Sequence, residues 1–212
     1  MHPLVVAADD WVREVHPHLP HMRRTLDWLL VLDPEAGIAL QVAALTHDIE
    51  RAFPADDDAP PAHDDPASRE YNGWHQERSA RMAAEWLSAQ GAPAELTDEV
   101  RSLIGAHEYG GWSDADTLQA ADSLSFLEVQ IDGFAERVAA GRLSRDAAER
   151  KLRFMHDRVR VPRARALAGP MLEEGLARLA AAPSPPGSSP RPGSSPRPGS
   201  PSLPSPPQSG AS

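Results

Sequence analysis

Ala43-Ala44-Leu45-Thr46-His47-Asp48-Ile49-Glu50-Arg51 is an apolar run that ends by setting an imidazole beside a carboxylate. Successive residues of an α-helix point about 100° apart, so His47 and Asp48 cannot share one apolar stripe. Two titratable groups at the edge of a core need a partner that stabilises them. A metal ion is such a partner. The same dipeptide recurs at His63-Asp64 and His156-Asp157. Only the first copy is accompanied by further histidines that each sit on a helix of their own, and this sets it apart.

Upstream, a short leading helix is expected over 10–15, broken by His16-Pro17-His18-Leu19-Pro20. A strong helix follows over 21–32, with Met22, Leu26, Leu29 and Leu30 at helical spacing. Asp33-Pro34 reads as the cap and first-turn proline of a helix from Pro34 to Ala52, which puts Leu40, Ala44, His47 and Arg51 on one face. Residues 54–68 are rich in aspartate and proline, and His63 in that solvated loop reads as a surface histidine.

Downstream, a third helix is expected from about Asp65-Pro66 to Gln90, stopped by Gly91 and carrying His75 and Ser79 on one face. Thr97 opens a fourth, whose stripe of Val100, Leu103, Ile104 and His107 ends at Gly110-Gly111. Ser113 and Asp116 cap a fifth, with Leu118, Ala121, Asp122 and Leu124 around one side. Two more are expected over 144–161 and 163–182, the second interrupted at Gly169-Pro170. No alternating strand pattern occurs, so the fold class is all-α, with a domain over 1–182. Residues 183–212 are Pro, Ser and Gly, and are expected to form a disordered tail.

Composition narrows the function classes. The chain has 212 residues, 41% of them hydrophobic, enough to bury one core. Its 21 basic and 31 acidic side chains leave a formal charge of −10, which argues against binding nucleic acid or an anionic membrane. With no cysteine, disulfides, thiolate metal sites and a cysteine nucleophile are excluded. The first residues carry neither a basic region nor a long apolar one, and no run is long enough to span a bilayer, so a cytoplasmic location is expected. Lys151 is the only lysine, which leaves arginine as nearly the sole candidate for holding phosphate.

His21, His47 with Asp48, His75, His107 and Asp122 thus fall on five expected helices, each at a helix end or inside an apolar face. Taken singly, each has an ordinary structural explanation. Taken jointly, that would require several desolvated polar groups with separate partners, whereas one site between the helices satisfies them together. His16 and His18 sit beside prolines and are set below His21. His156 is read as a core or pocket residue.

The order His, His-Asp, His, His, Asp resembles the HD superfamily of metal-dependent phosphohydrolases, an all-α helical bundle named for the adjacent pair. His21-Met22-Arg23-Arg24 looks like the family's opening histidine with an arginine three residues on, and Leu45-Thr46-His47-Asp48-Ile49 like its signature. His75 to Ala80, Ile104-Gly105-Ala106-His107-Glu108 and Ala121-Asp122-Ser123-Leu124-Ser125 resemble the remaining segments. The resemblance covers roughly residues 10–165. The Gly-Tyr-Pro signature of the cyclic-dinucleotide branch is absent, since Tyr109 precedes Gly110-Gly111.

The resemblance implies a metal site between helices in which His21, His47, Asp48 and Asp122 hold one ion and His75 with His107 a second, Asp48 bridging. Four imidazoles and two carboxylates suit Mn, Fe, Co, Ni or Zn better than Mg or Ca. Two such ions would activate a shared water as hydroxide and neutralise phosphoryl oxygens. The implied activity is hydrolysis of a nucleotide or another small phosphate ester, with Asp48, Arg51 and Glu108 as catalytic candidates and Arg24 and Arg51 as phosphate contacts. Glu108 is a candidate proton shuttle. Two alternatives stay open: a di-iron oxygenase, since the same set resembles myo-inositol oxygenase, and a module that binds metal or nucleotide without turnover. The sequence assigns no oligomeric state.

Overall fold

The structure, a computed structural model, describes residues 2–54, 59–61 and 68–183. The expected tail and His63 lie outside the described residues. Within them the chain is helical and contains no strand. Helix α1 (Pro3–Val15) leads into α2 (Leu19–Leu32), α3 (Ile38–Thr46) and a 3-10 turn (Ile49–Ala52). Then come α4 (Arg69–Ala89), α5 (Ala94–Ile104), α6 (Ser113–Val129), α7 (Ile131–Ala139), α8 (Arg145–Asp157) and α9 (Pro162–Ala181). No helix among the described residues is long and apolar enough to cross a membrane.

Local chemistry sets many of the boundaries. Proline lies in the first turn of α1, α2 and α9, where its missing N–H would have had no helical partner. Ser68 and Ser144 cap α4 and α8 by accepting from the backbone N–H groups of Tyr71 and Ala147. Gly91, at φ 72°, closes α4 in the left-handed conformation that glycine adopts without strain.

α3 and α6 form the centre. α3 is buried over most of its circumference, from Ala39 through Thr46, as an all-round apolar helix must be. α6 is buried along most of its length, from Ala115 to Leu127, and its pairing with α2 is the most extensive in the molecule. One core joins α1 to α6 through Leu29, Leu45, Leu87, Ile104 and Leu118. A second joins α6 to α9 through Leu124, Leu127, Leu152 and Leu179. The side chains of α6 that face the first core and those that face the second differ, so this helix carries residues to the seam between them.

Several expected boundaries move. The leading helix starts at Pro3 rather than Asp10, α3 starts at Ile38 rather than Pro34, and α5 starts at Ala94 rather than Thr97. α7 corresponds to no expected helix. α9 runs through Pro170 without a break. The residue before Pro170 is Gly169, which lacks the Cβ that would clash with the proline ring, and Ala166, whose carbonyl loses its helical donor, is exposed to water.

The change with functional weight is the break after Thr46, where a continuous helix to Ala52 was expected. Backbone carbonyls beyond that point are taken by side chains. His16 Nε2 donates to Asp48 O at 3.0 Å, and Arg78 donates to the carbonyls of Glu50 and Phe53 at 3.0 and 3.3 Å and of Pro54 at 2.6 Å. His47 and Asp48 therefore stand in a turn between α3 and the 3-10 turn, where adjacent side chains can aim at one place.

Candidate metal centre

His21 comes from the first turn of α2, His47 and Asp48 from the turn after α3, His75 from α4, His107 from the turn after α5, and Asp122 from the middle of α6. They meet. His21 Nε2 lies 3.1 Å from Asp122 Oδ1, and His47 Nε2 lies 3.4 Å from the same oxygen. His75 Nε2 lies 2.7 Å from Asp48 Oδ1, and the His107 ring is 5.2 Å from that of His47 and 5.3 Å from that of His75. Ligand atoms of His21, His47 and Asp48 fall within 4.8 Å of one another, as do those of Asp48, His75 and His107. The two groups share Asp48.

Each imidazole has its Nδ1 side occupied. His47 donates from Nδ1 to Ala44 O at 3.1 Å and His107 to Ile104 O at 2.7 Å. His75 donates to Glu50 Oε1 at 2.8 Å. The Ser125 hydroxyl gives its proton to His21 O, so its oxygen accepts from His21 Nδ1 at 2.8 Å. These partners select the tautomer that leaves Nε2 as a lone-pair donor. Nε2 of His47, His75 and His107 are buried and make no hydrogen bond, the approach of Asp48 to His75 being close but off the hydrogen-bond direction. Buried nitrogens are rarely left without partners. Three of them beside two carboxylates fit a metal cation.

The charges are arranged consistently with that fit. Burial opposes the charge on Asp48, yet Arg51, His47 and His75 hold its pKa well below the usual carboxylate value. Asp122, equally buried, is held well below by Arg158 and His47. Burial disfavours protonation of His47, but Asp48 and Asp122 prevail and raise its pKa to about 9. His107 goes the other way, burial pushing its pKa down to about 4. Both carboxylates are thus ionised and ready to ligate at neutral pH.

A family match covers residues 8–169, and its description is a domain of unknown function, DUF4202. The chain belongs to the DUF4202 family. All six residues of the cluster lie inside the matched stretch. Searches of curated proteins and of solved structures each found no match.

Beside the cluster this DUF4202 domain has a cavity of about 380 Å³, lined by His18, His21, Asp48, Arg51, Glu108, Asp122, Phe126, Gln130, Phe134, Arg137, Lys151 and Met155 among others. Arg51 lines it while donating from Nε to Asp48 Oδ2 at 2.9 Å and from Nη1 to the Tyr71 hydroxyl at 3.3 Å. Glu108 lines it too, bonded to Arg158. Burial opposes its charge, but Arg158 and Lys151 bring its pKa down to about 2, so it stays an anion and is unsuited to shuttling a proton near neutrality. Arg24 is placed elsewhere. It lies outside the cavity lining, its guanidinium bidentate to Glu128 at 2.5 and 2.9 Å and stacked over Trp28, so a carboxylate takes the fork expected for phosphate. His156 sits against its neighbour Asp157 at 2.8 Å and is not part of the cavity lining.

The sequence reading missed the residues that hold the ligands. Glu50 and Ser125 fix His75 and His21, and Arg78 donates to the second Glu50 oxygen at 3.2 Å. Arg158 bonds Asp122, Glu108 and the Ser123 hydroxyl. His16, set aside as a ligand, pins the turn that carries Asp48. Glu50 and Ser125 lie within the same short stretches as His47-Asp48 and Asp122, and a polar residue beside a buried ligand is a signal that could have found them. Arg158 had no signal, because its partners lie 36 and 50 residues away.

Proposed function

We propose that this DUF4202 protein is an HD-type phosphohydrolase that uses two divalent transition-metal ions to hydrolyse a nucleotide or another small phosphate ester. The observation that supports this reading most is the set of four imidazoles whose Nδ1 partners leave Nε2 turned toward Asp48 and Asp122. Its nitrogen-rich donors suit Mn, Fe, Co, Ni or Zn. When bound, such ions would supply Lewis acidity toward phosphoryl oxygens and an activated water.

The chain's own residues divide the remaining work. Asp48, common to both ligand groups, would help hold both ions, and Arg51 fixes its other oxygen. Arg51 has further N–H donors at the cavity for a phosphoryl oxygen. Arg158 holds Asp122 in place and keeps Glu108 charged. The ions would also offset the repulsion that a chain of net charge −10 exerts on an anionic substrate.

The test is metal analysis of the purified protein followed by a phosphate-release screen over nucleotides, phosphomonoesters and dinucleoside polyphosphates with added Mn, Co or Fe. His47→Ala should lose both metal and turnover. Undiminished activity in that variant would sink the assignment. Oxygen uptake by iron-loaded protein without phosphate release would replace it with the oxygenase reading.

A further inference from the structure

Lys151 is the only lysine of the chain, and it projects from α8 into the cavity that His21, Asp48 and Asp122 also line. Its ammonium lies 5.6 Å from the ring centre of Phe126 and 5.1 Å from that of Phe154. Among the described residues it makes no hydrogen bond and no ion pair. Of the other cations near the ligands, Arg51 is paired with Asp48 and Arg158 with Asp122 and Glu108, while Arg137, which also lines the cavity, donates to the Gly133 carbonyl and lies over the Phe134 ring. Aromatic faces attract an ammonium without using its three N–H donors, so those donors remain for a group that enters the cavity. Burial, reinforced by Arg158 and Arg51, lowers the Lys151 pKa, although Glu108 and Asp122 oppose the shift. An anion beside it would relieve that penalty.

We propose that Lys151 anchors a tetrahedral phosphate dianion in this cavity, holding it against the candidate metal ligands. The choice of phosphate among anions rests on the phosphohydrolase reading; the demand for an anion rests on the unpaired ammonium. Lys151 acts by direct contact, and the rings of Phe126 and Phe154 position it. Lys151 thus joins Arg51, which lines the same cavity, as a cation available to a phosphoryl group.

The experiment is calorimetric titration of the manganese-loaded full chain with inorganic phosphate, comparing the parent with Lys151→Met, which keeps the stem and removes the charge. Losing a charge-assisted contact should weaken phosphate binding about 10–100-fold, with metal content and melting temperature unchanged. Equal phosphate affinity in Lys151→Met overturns the proposal, as does a parent chain that binds no phosphate. Should Lys151→Met lose metal or melt early, Lys151→Arg decides, since retained binding supports a cationic anchor and lost binding in a metal-replete fold overturns it. Phosphate binding that depends on Lys151, in a protein that hydrolyses no phosphate ester, keeps the anchor and removes the phosphohydrolase reading. Hydrolysis with unchanged KM in Lys151→Met does the reverse.

Discussion

His75 donates from Nδ1 to Glu50 Oε1 across 2.8 Å, while Arg78 holds the other oxygen of that carboxylate at 3.2 Å. The carboxylate is buried, held on one side by a guanidinium and aimed at an imidazole on the other. It sets the tautomer of His75 and makes Nε2 a better donor. Glu50→Gln should lower metal affinity about 10–100-fold, as other losses of a histidine's outer partner do. Competition with a chelator, well below the melting temperature, measures it; unchanged affinity would remove Glu50 from the site.

Metal binding should release protons. His47, with a pKa of about 9 in the metal-free protein, is protonated at pH 7 and must give up that proton to ligate. Apparent affinity should therefore rise with pH up to about 9 and level off above it. The stability of the metal-free protein should move oppositely. A raised pKa contributes stability that is complete below the unfolded value and lost as pH rises through the folded one. Calorimetry in buffers of different ionisation enthalpy counts the protons, and no release at pH 7 would contradict the assignment of His47.

Arg158→Met should be among the most damaging single exchanges. It leaves Asp122 and Glu108 buried without their cation, a loss of about 3–5 kcal/mol where one partner of a buried pair is removed. At about 2–4 °C per kcal/mol for a chain of this size, the melting temperature should fall by about 6–20 °C. Acid unfolding checks the same contact. Glu108, lowered from 4.5 to about 2, contributes stability that is full above pH 4.5 and lost as pH falls toward 2, and this contribution should shrink in Arg158→Met.

Two glycines in helices should respond with opposite signs. A Cβ at Gly175 would meet Ile131 Cδ1 at 2.6 Å and Leu152 Cδ2 at 2.7 Å, where α9 crosses α7 and α8. Gly175→Ala should destabilise by about 1–3 kcal/mol through overpacking. Gly73, in α4, has open space at that position, and Gly73→Ala should stabilise by about 0.5–1 kcal/mol through helix propensity. Thermal melts of the two variants decide it.

Much of the fold was legible because helical periodicity and end signals are local. The apolar spacing in Met22, Leu26 and Leu29 marked α2, and Gly91 marked the end of α4. Boundaries failed where side chains from elsewhere intervened. His16 and Arg78 take the carbonyls after Thr46, and neither lies within the segment whose pattern predicted a continuous helix.

The candidate site was legible in its donors for a related reason. A histidine or aspartate inside an apolar face is conspicuous in one dimension, so His21, His47, Asp48, His75, His107 and Asp122 could be picked out and then found together. Their supporting residues could not. Whether Arg24 serves phosphate or Glu128, which acid Arg158 meets, and that Lys151 opens on the ligands all depend on contacts across 104, 50 or 36 residues, or on a cavity between helices. Sequence by itself determined which faces are buried and which polar groups are buried with them. Only the tertiary structure decided what each group faces, because a helix's pattern records the dryness of its surroundings and not the identity of the neighbour that makes them dry.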